Sequence, residues 1–326
     1  GAQGNIAFFP LYPLLIQLVM KLSGSTSPFL PAVLIANGSF LLGLFYLYAL
    51  AAAEFDQDTA ARTVFYLAAA PAALFFSAFY TEGLYTLLIA ATFYHSRAGD
   101  WLKAALFGAL AAATRNTGIL AALIIALEGL HQQGLRFHWP ARGHWGDYLR
   151  QSAAAVARSW PSLAAATFVG TGLLAYIVYL NSEFGDPLAF ITVQQTWGRE
   201  IGAGSFLNLV PNTVRELNLG GGLLTGRFNP IIIPDALFTL LALPLLLWLP
   251  RVLRPAHVAF CWATFLIPLS TGTVTSMSRY VLMLLPVFMV LGHAGHRPWL
   301  DRLILTLFLP LMAYVSILYS HWYFAG

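Results

Sequence analysis

Apolar residues gather along this chain into long, nearly uninterrupted runs, with polar residues confined to the short stretches between them. The runs cover 28–53, 62–80, 84–95, 102–113, 119–130, 161–180, 231–249, 256–269, 280–291 and 303–322. A helix that crosses the hydrocarbon core of a bilayer needs roughly 17 to 25 apolar residues, so the shorter runs must borrow from their flanks. The pattern predicts about ten membrane spans. A backbone in lipid has to satisfy its own hydrogen bonds, and these runs are too long and continuous for barrel strands, so the predicted fold class is an all-α, polytopic transmembrane helix bundle.

The first residues break the pattern. FFPLYP, from Phe8 to Pro13, places two prolines and three aromatics ahead of an apolar run that ends near Leu22. The next run, from 28 to 53, supplies a full span of its own. The segment from Ala7 to Leu22 therefore reads as an amphipathic helix lying in the outer interface. Pro10 and Pro13 suit a first helical turn, where a missing amide hydrogen is not needed. Phe8, Phe9 and Tyr12 suit the headgroup layer.

Composition agrees: 59% of the 326 residues are hydrophobic and 9% charged, too few charges to cover a water-soluble globule. Nothing in it points to a nucleic-acid partner. The single cysteine, Cys261, excludes an intrachain disulfide and a CxxC site. Charge adds an orientation. If the runs alternate in direction, Lys21, Arg115, Arg199, Arg215, Arg227 and Arg279 fall on one side of the membrane, and the other eleven of the 17 basic residues on the opposite side. The richer side is predicted to be cytoplasmic, which puts FFPLYP outside.

The connections carry few motifs. Between 130 and 161, Arg, Trp and the histidines His131, His138 and His144 mix as in a segment resting on an anionic surface, without metal-ligand spacing. NLGGGLLTGRFNP is glycine-rich but has no P-loop pattern, and reads as a hinge in the long outer connection from Asn181 to Pro230. EFDQDTAAR, with Glu54, Asp56 and Asp58, reads as the cap of a helix starting near Thr59. HAGH, at His293 and His296, reads as a polar turn.

The candidate chemistry lies where charges meet the runs. A charge at the bilayer centre costs roughly 2.5 to 3.5 kcal/mol on insertion scales, so such residues are paired, interfacial or functional. Glu82 in FYTEGLY, Arg115 in ATRNTG and Arg279 in SMSRYVL each sit at an abrupt junction on the predicted outer side, with Asp186 in EFGDPLAF nearby in topology. Together they could line one outward cavity. Taken singly, Glu82 and Arg115 could form a structural ion pair, Asp186 could cap a helix, and Arg279 could snorkel from a helix end.

FFPLYP, the YTE of FYTEGLY, TRNTG, GDPLAF with the following QQTW, and SMSRYVLMLLPVF occur in the order seen in PIG-V-like mannosyltransferases. The chain resembles that family of integral-membrane glycosyltransferases, which has the GT-C fold, over nearly all its length. The resemblance implies one transmembrane glycosyltransferase domain over residues 1–326 with its site facing outward; the alanine-rich, cysteine-poor composition points to a bacterial cytoplasmic membrane, the ER membrane being the setting if the source is eukaryotic. It implies transfer of a hexose, mannose first, from a polyprenyl-phosphate donor to a glycolipid, glycan or protein hydroxyl. On this reading Arg115 and Arg279 hold the donor phosphate, because guanidinium offers a permanent charge and a forked donor geometry. Glu82 orients the acceptor or holds an arginine. Phe8, Phe9, Pro10, Tyr12, Tyr80, Asn116, Gln194, Gln195 and Trp197 form the rim, with the FFPLYP segment as a juxtamembrane helix.

The family pattern also has a span and an outer loop bearing an acid before the FFPLYP-like segment, and that acid is the expected general base. Only seven residues precede Phe8 here, none of them acidic. The expectation is a chain lacking that first span and loop, with Asp186 as a weak substitute. No dedicated metal cluster is visible, and assistance by a divalent cation is left open. The competing class is a transporter or flippase of a lipid-linked sugar or small solute. A noncatalytic membrane scaffold is the third reading.

Overall fold

The computed structural model describes residues 6, 8–135, 145–193, 204–217 and 230–321. His138, His144, Gln194, Gln195, Trp197 and the glycine-rich hinge lie outside these residues. Among the described residues the structure is helical throughout, with no strand.

Helix α1 spans Leu11–Ser23 and α2 spans Phe29–Glu54. The run from 62 to 80 divides into α3, Gln57–Ala68, and the single turn α4, Leu74–Ser77, with a break of turns between them beside Pro71. Next come α5 (Glu82–Arg97), α6 (Trp101–Ala112), a 3-10 turn over Asn116–Leu120, and α7 (Ala121–Gln132). Helices α8 (Trp145–Arg158), α9 (Trp160–Phe184), α10 (Ala189–Thr192) and α11 (Leu209–Leu217) follow. The last part holds α12 (Ile232–Trp248), α13 (Pro255–Leu269), α14 (Met277–Leu282), α15 (Leu285–Ala294) and α16 (Pro298–Ser320).

Among the described residues, four segments are long and apolar enough to cross a membrane: Phe29–Glu54, Trp160–Phe184, Ile232–Arg251 and Pro298–Ser320. They make the chain an integral membrane protein. Their exposed faces are apolar, as with Leu34, Leu41 and Phe45 on α2, because they meet lipid instead of water. The count of about ten spans is not reached by this measure. The runs from 62 to 80 and from 280 to 291 are each interrupted. Helices α5, α6 and α7, of 16, 12 and 12 residues, are short but packed against other helices on much of their surface. A helix surrounded by protein need not match the thickness of the lipid.

Helices α2 and α5 pack along most of their length. The contact stripe on α2 is small: Ala32, Ala36, Ser39 and Gly43 are buried in sequence down one face. In lipid, where burial of apolar surface drives little association between helices, such stripes permit close backbone approach. Gly83 completes the contact, because a Cβ at that position would stand 2.3 Å from the carbonyl oxygen of Ala36. This explains the glycine of YTEG.

Two polar clusters mark opposite ends of this core. Glu82 begins α5 and Arg97 ends it, and fifteen helical steps separate them by ~22 Å. At the Arg97 end, Glu54 accepts hydrogen bonds from Nε of Arg97 (2.8 Å) and Nε of Arg254. Arg254 also donates Nη1 to Glu128 at 2.8 Å, tying the ends of α2, α5 and α7 to the start of α13. The cap expected from EFDQD is corrected in part. Asp56 does cap α3, accepting from the amide and hydroxyl of Thr59, which hold its carboxyl below the usual range. Glu54 is instead an ion-pair acceptor, since α2 carries it past the last apolar turn to the two guanidinium groups.

Because Cys261 is fully buried and the chain has no other cysteine, a thiol-reactive dye reports unfolding directly. Gly83→Ala forces overpacking at a backbone contact, which costs about 1 to 3 kcal/mol. Thermal melts followed by Cys261 labelling in detergent should show a lower midpoint for this variant, whereas Gly38→Ala, at a site with open space, should melt like the parent.

Candidate functional site

The three junction charges meet at one point. Helix α6 ends at Ala112, and the backbone reverses so that the amide of Arg115 donates back to the carbonyl of Ala111 (3.1 Å). The reversal needs Gly118, where a Cβ would stand 1.9 Å from the same carbonyl oxygen. TRNTG is thus a tight turn that projects Arg115 sideways, and its Nη1 lies 2.6 Å from Oε1 of Glu82. Asn116 stays local, accepting from the amide of Thr117. Arg279 arrives from α14 and donates Nε (2.8 Å) and Nη2 (2.5 Å) to the same oxygen.

Glu82 is fully buried, and the side chains of Arg115 and Arg279 are only 12% and 14% exposed. One carboxylate oxygen therefore serves two guanidinium groups. Aromatic faces line the pair. Arg115 lies 5.7 Å from the ring centre of Tyr85 and 5.6 Å from that of Tyr280, while Arg279 lies 4.6 Å from Tyr80 and 5.1 Å from Phe75. The ring quadrupoles attract the cations and shield them from water. Within the trio itself two positive groups face one negative group, and the carboxylate of Asp235 stands on the turn just before Arg279.

The FFPLYP segment is packed beside this cluster. Pro10 precedes α1 and Pro13 occupies its first turn, as proline at a helix start permits. The amide of Leu11 donates to Ala113 (3.1 Å), two residues before Arg115. Tyr12 is buried, donates to the carbonyl of Ala32 (2.9 Å), and meets Phe79 edge-on, three residues before Glu82. Phe9 is buried against Tyr176 and Phe190, whereas Phe8 is exposed. The helix itself starts at Leu11, later than the expected Ala7, because Tyr176 donates its hydroxyl to the carbonyls of Ile6 and Phe8 and holds that stretch outside the helix. Beyond it, α1 buries Tyr12 and Ile16 and exposes Leu14, Leu18 and Leu22, a one-sided helix.

Asp186 lies on the segment whose Phe190 touches Phe9. Its Oδ1 accepts from the amide of Leu188 (3.0 Å), so the carboxylate braces the turn into α10. Asp235 was not singled out from the sequence. It is fully buried in the first turn of α12 and accepts from the amides of Ser276 (2.7 Å) and Ser278 (2.8 Å), immediately before Arg279. Its signal was available: it is the lone acid inside the run from 231 to 249. Among the described residues, no three His, Cys, Asp or Glu side chains converge as a metal site; Asp235 is engaged through both oxygens, and Glu82 through Oε1, while its buried Oε2 has no partner among these residues.

Residues 3–135 match the family model described as Mannosyltransferase (PIG-V). The matched part contains FFPLYP, YTE and TRNTG; GDPLAF and SMSRY lie beyond it. A solved structure of the Archaeoglobus fulgidus oligosaccharyltransferase, in complex with Zn and sulfate, is similar over 95% of this chain, with a TM-score of 0.43 and 13% sequence identity. The chain spans 43% of the length of that protein. No curated protein sequence matches the chain.

Removing one partner of a buried ion pair typically costs about 3 to 5 kcal/mol, because the other charge stays buried and uncompensated. Glu82→Ala, which strands two guanidinium groups, should lower the melting midpoint in the Cys261 labelling assay. Combining it with Arg279→Ala should cost less than the sum of the two single changes.

Proposed function

We propose that this chain is an integral-membrane glycosyltransferase that moves a hexose, mannose first, from a polyprenyl-phosphate donor to an acceptor hydroxyl at the outer face of the membrane. The observation that carries the reading is the aromatic-lined Arg115–Glu82–Arg279 cluster, two guanidinium groups on one carboxylate oxygen, beside the FFPLYP helix. The match of residues 3–135 to a mannosyltransferase family supports glycosyl transfer. The lipid-linked donor, the outward side and the GT-C fold are inferred.

The geometry suits a phosphate. Among the described residues, the bonds to Glu82 use Nη1 of Arg115 and both Nε and Nη2 of Arg279. Nη2 of Arg115 and Nη1 of Arg279 make no hydrogen bond among the described residues, and on this reading they take a ligand's oxygens. Charge-assisted bonds from guanidinium to phosphate are short and about twice as strong as neutral ones, and low local dielectric strengthens them further. In the proposed displacement the acceptor oxygen attacks the anomeric carbon as the bond to the phosphate oxygen breaks, with inversion at that carbon. The leaving polyprenyl phosphate gains negative charge, and the two arginines are held in advance to meet it. Preorganisation requires Glu82, since two guanidinium groups this close repel one another without it.

Of the two roles considered for Glu82, the geometry supports holding the arginines, because its engaged oxygen already accepts three N–H groups and its side chain is sealed from solvent. The acceptor proton then goes to another base, and the acid of the outer loop in the family pattern is the proposed group. Asp186 is the weaker candidate, since it already braces the Leu188 turn. The opposed ends of the core support the proposed orientation. Arg97 and Arg254, from the larger basic set, share one end, and Arg115 and Arg279, from the smaller set, share the other.

Transfer of radiolabelled mannose from polyprenyl-phosphate mannose is the direct test, in membranes carrying the full-length protein. Removing one preorganised charged donor commonly costs about 10²- to 10³-fold in rate. Arg115→Ala and Arg279→Ala should each fall in that range with Cys261 still protected. A parent that transfers nothing from this donor, or folded variants that transfer at the parental rate, would defeat the reading and favour a transporter.

A further inference from the structure

Arg279 does not hold its own position. It stands on α14, six residues long, which follows a turn of irregular backbone. Ser276, at the start of that helix, has φ of 69°, and it is the only non-glycine residue with positive φ among the described residues. A left-handed conformation at a residue with a Cβ costs on the order of 1 kcal/mol or more and persists where its surroundings over-determine it. What over-determines it here is Asp235. Its two carboxylate oxygens take separate amides, Oδ2 from Ser276 and Oδ1 from Ser278, so the carboxylate spans the turn. It is fully buried on α12, the apolar, span-length helix against which α14 packs.

We propose that Asp235 is the positioning residue for Arg279. Its carboxylate fixes the Ser276–Ser278 turn, and through it the direction in which α14 presents the guanidinium to Glu82 and to a ligand. Two acceptor oxygens are needed because the turn offers two N–H donors in different directions. An asparagine keeps one acceptor and turns an NH2 group toward the other amide. A buried acid otherwise expensive in an apolar helix is thereby given a purpose by the residue immediately after its second bond. The activity part of this inference rests on the proposed function; the part that concerns the turn does not.

The test uses the full chain in lipid nanodiscs, with Asp235→Asn, Arg279→Ala and the double variant. Two quantities are read: hydrogen exchange of the backbone amides in peptides covering Ser276 to Leu282, and kcat and KM for polyprenyl-phosphate mannose. Asp235→Asn should speed exchange at Ser276 and Ser278 by about tenfold or more while α5 stays protected. It should lower kcat/KM for the donor by about 10- to 100-fold, and in the Arg279→Ala background it should add less than about threefold, because the two residues then act as one unit. Unchanged exchange overturns the proposal, and so do losses that multiply fully in the double variant. Faster exchange in a parent chain that transfers nothing keeps the fixing of the turn and removes the proposed function. If Asp235→Asn does not accumulate, Ser278→Pro takes its place, since it deletes one of the two donors in the first helical turn, where proline is tolerated.

Discussion

One carboxylate oxygen, Oε1 of Glu82, joins three parts of the chain that have no local reason to meet. It begins α5, receives Arg115 from the turn after α6, and receives Arg279 from α14, 197 residues away. Each guanidinium is almost buried, and a buried charge without a partner is among the costlier defects a fold can carry. Whatever else the helices do, they have to deliver these three groups to one place. The aromatic rings of Phe75, Tyr80, Tyr85 and Tyr280 then close around the cations, so even the hydrophobic neighbours of the cluster are chosen by it.

That demand accounts for features that look unrelated. Gly83 lets α5 approach α2 within backbone contact, which sets the height of Glu82. Gly118 lets the chain reverse tightly enough after α6 for Arg115 to turn inward. Asp235 pins the turn before Arg279. Tyr12 and Leu11 bond to α2 and to the end of α6, which brings the FFPLYP segment against the same junctions. At the far end of α5 a second cluster, Glu54, Arg97, Arg254 and Glu128, balances its charges within itself. The two ends differ in kind: the far end pairs two carboxylates with two guanidinium groups, while at the near end both guanidinium groups share one oxygen of Glu82.

The sequence by itself determined the solvent and therefore the class of fold. Long apolar runs with few charges leave an all-helical membrane protein as the available answer, and α2, predicted from 28 to 53, spans Phe29–Glu54. Local chemistry was legible too: Asp56 before α3, and prolines opening α1, act within three or four residues of where they stand. The cost of a charge in lipid singled out Glu82, Arg115 and Arg279 without any knowledge of their partners. Only the tertiary structure decided the partnerships. Apolar runs do not show where a helix will break, so α3 with α4 and α14 with α15 read as single segments, and short helices shielded by protein were counted as spans. Glu54 read as a cap because its arginines lie 43 and 200 residues away. Asp235 passed unnoticed because its partners are backbone amides, which every residue except proline carries and no side-chain pattern announces. Hydropathy is a property of each residue and its near neighbours, whereas a shared oxygen atom is a property of three helices at once.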